Sequence, residues 1–517
     1  MNFYLARCCR SLFLLVFLTT GCMVGPDFHP VSYSTPARFV NPGAPSIQPT
    51  TRSSLTVSDP VQVIQWWRTF NDPTLDSLID RAVVDNYDLR QATSRLREAR
   101  AQVGLAASAL YPQVNGDASY TRSGTGSGGV VTTTGRKGAI VAHTTSTRSD
   151  FYVAGFDAAW ELDVFGGLRR GVESADASLA AAVEDRRDVM VTLLAEVATD
   201  YVALRQFQRE VDIARENLAS DEHIEALTRE KFGAGFAANL DVANAAAEVA
   251  TTKAAIPILQ TEAQQEIYSL SILLGEEPGA LMQELSKSKP IPLTPPRVPI
   301  GLPSDLLRRR PDIRAAEADY HAATANVGVA VADLFPKFSL TGNLDDEGTR
   351  LKALGNWSSN VWQFGPSVSL PIFTGGQIRS NIEVQNALQQ QALYTYDQIV
   401  LTALQDVDNA LIAYANDQAR RDALVDSVKY NRQALDLSTR LYNTGLGEFL
   451  NVLTAEQSLF SSEDALAQSQ GTVATDLAAL YKALGGGWQI DPTSPAFASA
   501  ATQPAEELNH RDTEAQR

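Results

Sequence analysis

Two hydrophobic rhythms divide this chain. In Val361–Phe373 (VWQFGPSVSLPIF), Trp362, Phe364, Val368, Leu370 and Ile372 point one way, and Gln363, Ser367 and Ser369 point the other. That is a strand with one apolar and one polar face. Phe151–Phe165 has the same rhythm: Tyr152, Phe156, Trp160, Leu162 and Val164 oppose Asp157, Glu161 and Asp163. Shorter strands are predicted over Val114–Arg122 and Phe338–Leu344, the four spanning Val114–Arg122, Phe151–Phe165, Phe338–Leu344 and Trp362–Phe373. The second rhythm is helical and very long. Gly167–Lys231 and Gly376–Tyr442 lack Pro, and hold no Gly beyond Gly171 near the first one's start. Their 65 and 67 residues extend about 97 and 100 Å at the α-helical rise. In the second, Ile378, Ile382, Leu388, Ala392, Tyr396, Ile399, Ala403, Val407, Leu411 and Tyr414 form a coiled-coil-like seam. Such rods suit an elongated molecule rather than a globule.

The chain is written twice. Val103–Val114 (VGLAASALYPQV) resembles Val327–Phe338 (VGVAVADLFPKF). Phe165–Leu179 pairs with Thr374–Leu388, Lys231–Val242 with Leu441–Val452, and Leu270–Gly275 with Leu480–Gly485. The offsets are 224, 209 and then 210 twice. The jump matches the Gly/Ser/Thr-rich Thr121–Gly138, which the second half lacks and which reads as a loop at the strand tips. Each half runs helix, strand, loop, strand, very long helix, tight Gly turn, returning helix. The expected divisions are a signal peptide (1–21), an extended N-terminal segment (22–70) and a first repeat (71–287). A Pro-rich connector (288–303), a second repeat (304–487) and a disordered tail (488–517) follow. Helices are expected over Thr74–Leu110 and Leu450–Leu484, and Pro257 predicts a break in the first returning helix.

The first 22 residues join a basic start (Arg7, Arg10), the apolar SLFLLVFL (Ser11–Leu18) and TTGC (Thr19–Cys22). This run is too short to span a bilayer but fits a secretory leader. Gly-Cys after it resembles a bacterial lipoprotein processing site, with Cys22 lipidated and Thr19 where such sites usually carry Leu; simple cleavage near residue 22 is the alternative. The other two of three cysteines, Cys8 and Cys9, lie in the leader, so the mature chain has no intrachain disulfide or Cys metal site. The net charge of −17 comes without a basic patch dense enough for nucleic acid. Arg308–Arg310, between Asp305 and Asp312, reads as a solvated helix start.

With no later run of about 18 apolar residues, membrane insertion would have to use strands. Four strands leave two open edges, which lipid does not tolerate, and single-chain barrels have at least eight. The sheet is then either soluble and covered, or closed by several copies. Two copies give eight strands, a barrel filled by its own side chains; three give twelve, enough for a pore.

At GCMVGPDF (Gly21–Phe28), WWRTFNDPTLDSLIDRAVVDNYDLR (Trp66–Arg90), LLRRRPDIRAAEADY (Leu306–Tyr320) and both LYP/LFP helix ends, the chain resembles the TolC-type outer-membrane factors. The match is to their lipidated NodT-type efflux branch and covers Cys22 to about Gly487. The resemblance implies a homotrimer. Its twelve-stranded β-barrel, in outer-membrane lipid, would continue into a periplasmic helical barrel. It implies the exit duct of a tripartite efflux pump, passively conducting small molecules such as drugs from a periplasmic adaptor and an inner-membrane transporter. In the family, the hairpin turns close the periplasmic end and dock the adaptor. Here those turns hold Gly233, Gly235, Phe236, Leu240 and Asp241, and Tyr442, Gly445, Leu446, Gly447, Leu450 and Asn451. Asp241 takes the position of a gate carboxylate, or is a plain helix cap; Tyr442 takes that of a gate tyrosine. The family's Arg is absent, Gly447 standing there, and Asn451 stands at an acidic position. All four glycines are expected to permit positive φ.

GTGSGG (Gly124–Gly129) has dinucleotide-motif spacing but no following helix, and there is no GxxxxGK[ST], HExxH or GxSxG. His29, His143, His223, His321 and His510 lack ligand spacing. Neither Asp157/Glu161 nor Asp345/Asp346 leaves a strand face that reads as solvated. No enzyme, cofactor or metal is expected. A type I protein-secretion duct and a coiled-coil spacer lipoprotein are the alternatives.

Overall fold

The computed structural model describes residues 23–40, 55–57, 64–124, 130–134, 140–144, 148–295 and 297–490. Cys22, His510 and the tail beyond 490 lie outside them, as does most of GTGSGG. The elements, in chain order, start with β1 (Leu55–Val57), α1 (Pro73–Asp85) and α2 (Tyr87–Ser108). Strands β2 (Gln113–Gly124), β3 (Val130–Thr134), β4 (Ile140–Thr144) and β5 (Arg148–Leu162) lead to α3 (Gly167–Gly233) and α4 (Asn239–Leu273). After α5 (Met282–Leu285) and β6 (Arg297–Pro299) come α6 (Pro303–Arg309), α7 (Pro311–Ala332), β7 (Lys337–Gly348) and β8 (Asn360–Ser369). The long α8 (Gln377–Asn443) and α9 (Phe449–Ala483) complete the order.

The duplicated unit is metrically strict. Helices α2 and α7 have 22 residues each, β2 and β7 have 12, α3 and α8 have 67, and α4 and α9 have 35. Four strands form one antiparallel sheet in the order β2-β5-β7-β8, and β3 pairs only with β4. The segment expected as a plain loop therefore carries a second hairpin. The last strand stops at Ser369, short of Phe373, because Pro371 has no N–H to give a ladder.

Two expectations about helices fail for local reasons. The single helix expected over Thr74–Leu110 is two, because Asn86 is extended (φ −58°, ψ 133°). Its Oδ1 accepts from Leu89 N at 2.9 Å and its Nδ2 donates to the Leu273 carbonyl at 2.9 Å. In the second repeat the matching break falls at Arg310, before Pro311, where a proline disfavours helical backbone in the residue ahead of it. Conversely, α4 runs unbroken through Pro257. One lost backbone bond and a ring clash cost about 3 kcal/mol, less than surrendering the burial of Ala263, Ile267 and Leu270 farther along the same helix.

The chain divides into two compact units. One gathers residues 23–30, Glu98–Leu179 and Ala318–Leu393 and contains the four-stranded sheet. The other gathers Val31–Arg97, Ala180–Glu317 and the chain from Tyr394. Its core places Trp66, Trp67, Leu75 and Leu78 against Met190–Leu204 of α3, Tyr396–Tyr414 of α8 and Val473–Leu484. The WWRTF segment is thus core: Trp66 stacks on Tyr481 with ring centroids 5.3 Å apart. Arg310 is not solvated either, its side chain being 12% exposed. It pairs with Asp312 at 2.7 Å and Asp406 at 3.1 Å and donates to the Ala483 carbonyl at 3.2 Å, which satisfies an otherwise orphan helix-end acceptor. Only part of the predicted α8 seam is buried: Tyr396, Ala403, Val407, Leu411 and Tyr414 are, Val400 is buried where Ile399 was expected, and Leu388 is exposed.

Candidate functional site: the sheet and the hairpin turns

Directly paired residues of a sheet share a face, so the register sorts the side chains of all four strands. One row is Gly116, Phe156, Leu344, Trp362, and the next but one is Val114, Ala158, Gly342, Phe364. This face also carries Tyr152, Leu340 and Val368. Phe156, Trp362, Phe364 and Val368 are each more than 60% exposed. The rows between hold Asn115, Asp157, Asn343, Gln363 and, farther along, Ser119, Glu161, Ser339 and Ser367. Here Asn115 Nδ2 donates to Asp157 Oδ2 at 3.1 Å, and the Ser339 and Ser367 hydroxyls lie 2.6 Å apart. An apolar face turned outward and a hydrated polar face are what a lipid-embedded strand needs. Among the described residues of the single chain, both end strands, β2 and β8, are unpaired on their outer edges. Among the described residues no helix is long and apolar enough to cross a membrane.

Residues just after Cys22 are tied to the corner between β5 and α3. Val24 N donates to the Phe165 carbonyl at 3.1 Å. The Arg170 side chain, 2% exposed, binds the Val24 carbonyl at 3.2 Å, Asp27 at 2.5 Å and Glu173 at 2.7 Å. His321 lies 3.0 Å from Glu173 and stacks on Phe28 at 4.2 Å. A Cβ on Gly25 would fall 2.4 Å from the Gly328 Cα, so only glycine lets this segment pass so close. His321, unreadable from spacing, is thus part of a structural clamp.

The two hairpin turns are built alike. Gly235 N donates to the Phe232 carbonyl at 3.0 Å and Phe236 N to Lys231 at 2.8 Å; Gly445 N and Leu446 N do the same to Tyr442 and Leu441 at 3.1 and 2.9 Å. This is the Schellman pattern, with a left-handed glycine just past the helix. Of the four glycines expected to need positive φ, only Gly235 (81°) and Gly445 (75°) have it. Gly233 still belongs to α3. At Gly447 the constraint is space, since a Cβ would sit 3.0 Å from the Leu441 Cβ. Phe236, Leu240, Leu446 and Leu450 are 60–83% exposed at the tips.

Behind the tips, Ile224, Ala245, Tyr442, Phe449 and Val452 form a small buried cluster drawn from all four helices. Asp241 caps its own helix, its Oδ2 accepting from Ala238 N at 3.1 Å. Asn451, its counterpart, lies in the first turn of α9 with its N–H on the Glu448 carbonyl at 3.2 Å. The Tyr442 hydroxyl is buried without a partner in this chain, so Asp241 and Tyr442 are not hydrogen-bonded within the protomer. Sequence reasoning missed Lys231. Its Nζ donates to the Tyr442 carbonyl at 2.5 Å and stands 3.7 Å over the Tyr442 ring, and burial pushes its pKa down. The repeat alignment held the signal: the matching residue in the other turn is Leu441.

The description "Outer membrane efflux protein" belongs to the family model that matches residues 78–276 and 302–486. Nodulation protein T of Rhizobium leguminosarum bv. trifolii is 32% identical over 473 residues, covering 91% of this chain and 96% of that protein. The pyoverdine export outer membrane protein OpmQ of Pseudomonas aeruginosa is 34% identical over 434 residues, covering 84% and 90%. The solved outer-membrane channel OprN superposes with a TM-score of 0.81 at 36% identity, over 90% of this chain and 100% of that one. The chain belongs to the outer membrane efflux protein family, and its sheet and paired hairpins are those of an outer-membrane exit duct reaching into the periplasm.

Proposed function

We propose that three copies of this chain close a twelve-stranded barrel in the outer membrane and a helical barrel in the periplasm, forming the passive exit duct of a tripartite pump. The observation that carries this is a mismatch between the repeats. On α8, Tyr394, Leu401, Ile412, Tyr430, Leu437 and Leu441 are all 40% exposed or more. They are 7, 11, 18, 7 and 4 residues apart, each close to a whole number of turns, so they form one apolar stripe. The residues 210 positions earlier on α3 are Glu184, Val191, Val202, Ser220, Leu227 and Lys231. The first three are buried within the chain and the others half-buried. What the second repeat covers for the first, nothing among the described residues covers for the second. The sheet repeats the logic: β5 is paired by β7, whereas the outer edge of β8 is open. A heterologous contact of this kind generates a ring when the rotation closes, and twelve strands leave a lumen where eight would not.

In this reading the polar sheet face lines the lumen, and a periplasmic adaptor meets the exposed tips at Phe236, Leu240, Leu446 and Leu450. An inner-membrane transporter supplies energy and selects the small-molecule cargo, as a duct has neither task. The clamp on Met23–Phe28 suits a lipid on Cys22. Tyr442 and Asp241 stand at the closing end, together with Gly233, Gly235, Gly445, Gly447 and Asn451 of the turns. The test is assembly plus conduction. The protein in mild detergent should migrate as a trimer in unboiled SDS gels and give discrete single-channel steps in planar bilayers. A monodisperse monomer without conductance sinks the reading.

A further inference from the structure

Two carboxyl groups meet inside the helical hairpins without a cation. Asp221 on α3 is 4% exposed and Glu456 on α9 is 5% exposed. Ser220 Oγ donates to Glu456 Oε1 at 2.8 Å, and Thr252 Oγ1 of α4 donates to Asp221 Oδ2 at 2.6 Å. Ser220 and Asp221 are consecutive on α3, so the Ser220 bond brings the Glu456 carboxyl beside that of Asp221, and each acid acts on the other through a side-chain hydrogen bond. Carboxylates only accept, so a direct bond between them requires one proton held in common. The third charged group facing the pair is Glu248 of α4, another acid. On α8, Asn431 lies at this level, donating to the Ser458 carbonyl at 3.2 Å, and the neighbouring Arg432 is committed to Glu463. No basic side chain neutralises the pair among these described interactions.

We propose that Asp221 and Glu456 form a latch between the two hairpins of one protomer, closed by a shared proton and released when that proton leaves. The residues that carry it sit on α3 and α9, one from each repeat, so the pair bridges the hairpins rather than bracing one of them. Losing the proton leaves two adjacent buried anions facing Glu248, and the hairpins relieve this by separating and admitting water. Burial pushes Glu456 up to about 8 and also raises Asp221. The latched state binds a proton that the open state releases. Its stabilisation is therefore complete at low pH and is lost as pH rises through about 8. The consequence for flow rests on the duct reading; the latch itself does not.

The experiment uses the full-length protein with nitroxides at His223→Cys and Ser458→Cys, both exposed positions, in a Cys22→Ser background. The distance between labels should lengthen across a transition centred near pH 8, and Glu456→Gln, which keeps the hydrogen bonds and cannot ionise, should abolish it. If Glu456→Gln does not assemble, Asp221→Asn serves the same purpose. A distance that stays constant across that range, or a transition that survives in both variants, overturns the latch. Single-channel conductance measured in parallel should rise over the same interval. A distance transition with no conductance at any pH supports the latch and overturns the duct.

Discussion

Helices α3 and α8 are the same length and share one seam, yet they live in different surroundings. The buried residues of α8, Tyr396, Val400, Ala403, Val407, Leu411 and Tyr414, match Arg186, Met190, Leu193, Val197, Tyr201 and Leu204 of α3, all buried as well. Even Gln418 and Gln208, 210 residues apart, are both buried. The difference lies on the flank. Among the described residues, α3 exposes a single large apolar side chain, Phe232, whereas α8 exposes eight, from Val384 to Leu441. Identical lengths keep the two rods in step, and in the proposed assembly the unequal flank of the second repeat is the face that another copy covers.

The comparison breaks first at Val202 and Ile412, the same position in the two helices. Val202 is 0% exposed and Ile412 is 40% exposed. An aspartate at Val202 is an unpaired buried charge, costing about 3–5 kcal/mol, and Val202→Asp should cost the chain its fold, seen as lost helical circular dichroism. Ile412→Asp should leave a fully helical monomer that no longer trimerises, measured by light scattering in detergent. Equal behaviour of the two variants would mean that α8 has no partner on this flank.

The two faces of the sheet allow the same contrast one residue apart. Trp362 is 74% exposed on the apolar face, and Gln363 follows it on the polar face. Trp362→Arg should lower the barrel's unfolding free energy by about 2–4 kcal/mol, and Gln363→Arg by close to zero. Urea unfolding of the trimer in lipid vesicles measures both. A large loss at Gln363 would place lipid on the wrong face.

Much of this was legible because it is periodic. Alternation gave four strands with the correct faces, and absence of Pro and Gly gave two helices within two residues of their real ends. What stayed hidden depends on single side chains. Asn86 breaks a helix by capping the next one, a role its neighbours do not advertise. Pro257 does not break α4 because tertiary burial outweighs one lost bond. Val130–Thr134 and Ile140–Thr144 escaped because Gly, Ser and Thr around them dilute the alternation. At the turns, the motif located the place but not the partners: Lys231 on Tyr442 and Asp221 beside Glu456 join residues 211 and 235 positions apart, which no local pattern records.

Lys231 is the next test of how the repeats diverged. The ammonium bonds the Tyr442 carbonyl and covers its ring, while the other turn has Leu441 in its place. A charged hydrogen bond contributes about 1.5–3 kcal/mol, so Lys231→Met should loosen the tip cluster by that order. Faster amide hydrogen exchange at Tyr442–Val452 and a higher mean conductance would show it. The reciprocal Leu441→Lys should not tighten the tip, because Leu441 is exposed and in the proposed assembly its stripe faces a neighbouring copy.

The smallest effect is expected at Asp241 and Asn451. As the cap of α4, Asp241 satisfies the Ala238 N–H and places negative charge at the helix start, and Asp241→Ala should cost about 1 kcal/mol. Asn451→Ala should cost less, its side chain carrying no charge for the dipole of α9. A gate role adds something that capping does not. Asp241→Asn retains an acceptor for the cap but loses the charge, so a cap alone predicts nearly unchanged conductance. A conductance that rises in Asp241→Asn, and rises further with Tyr442→Phe, would show that the carboxylate reaches across to another protomer at the closing end.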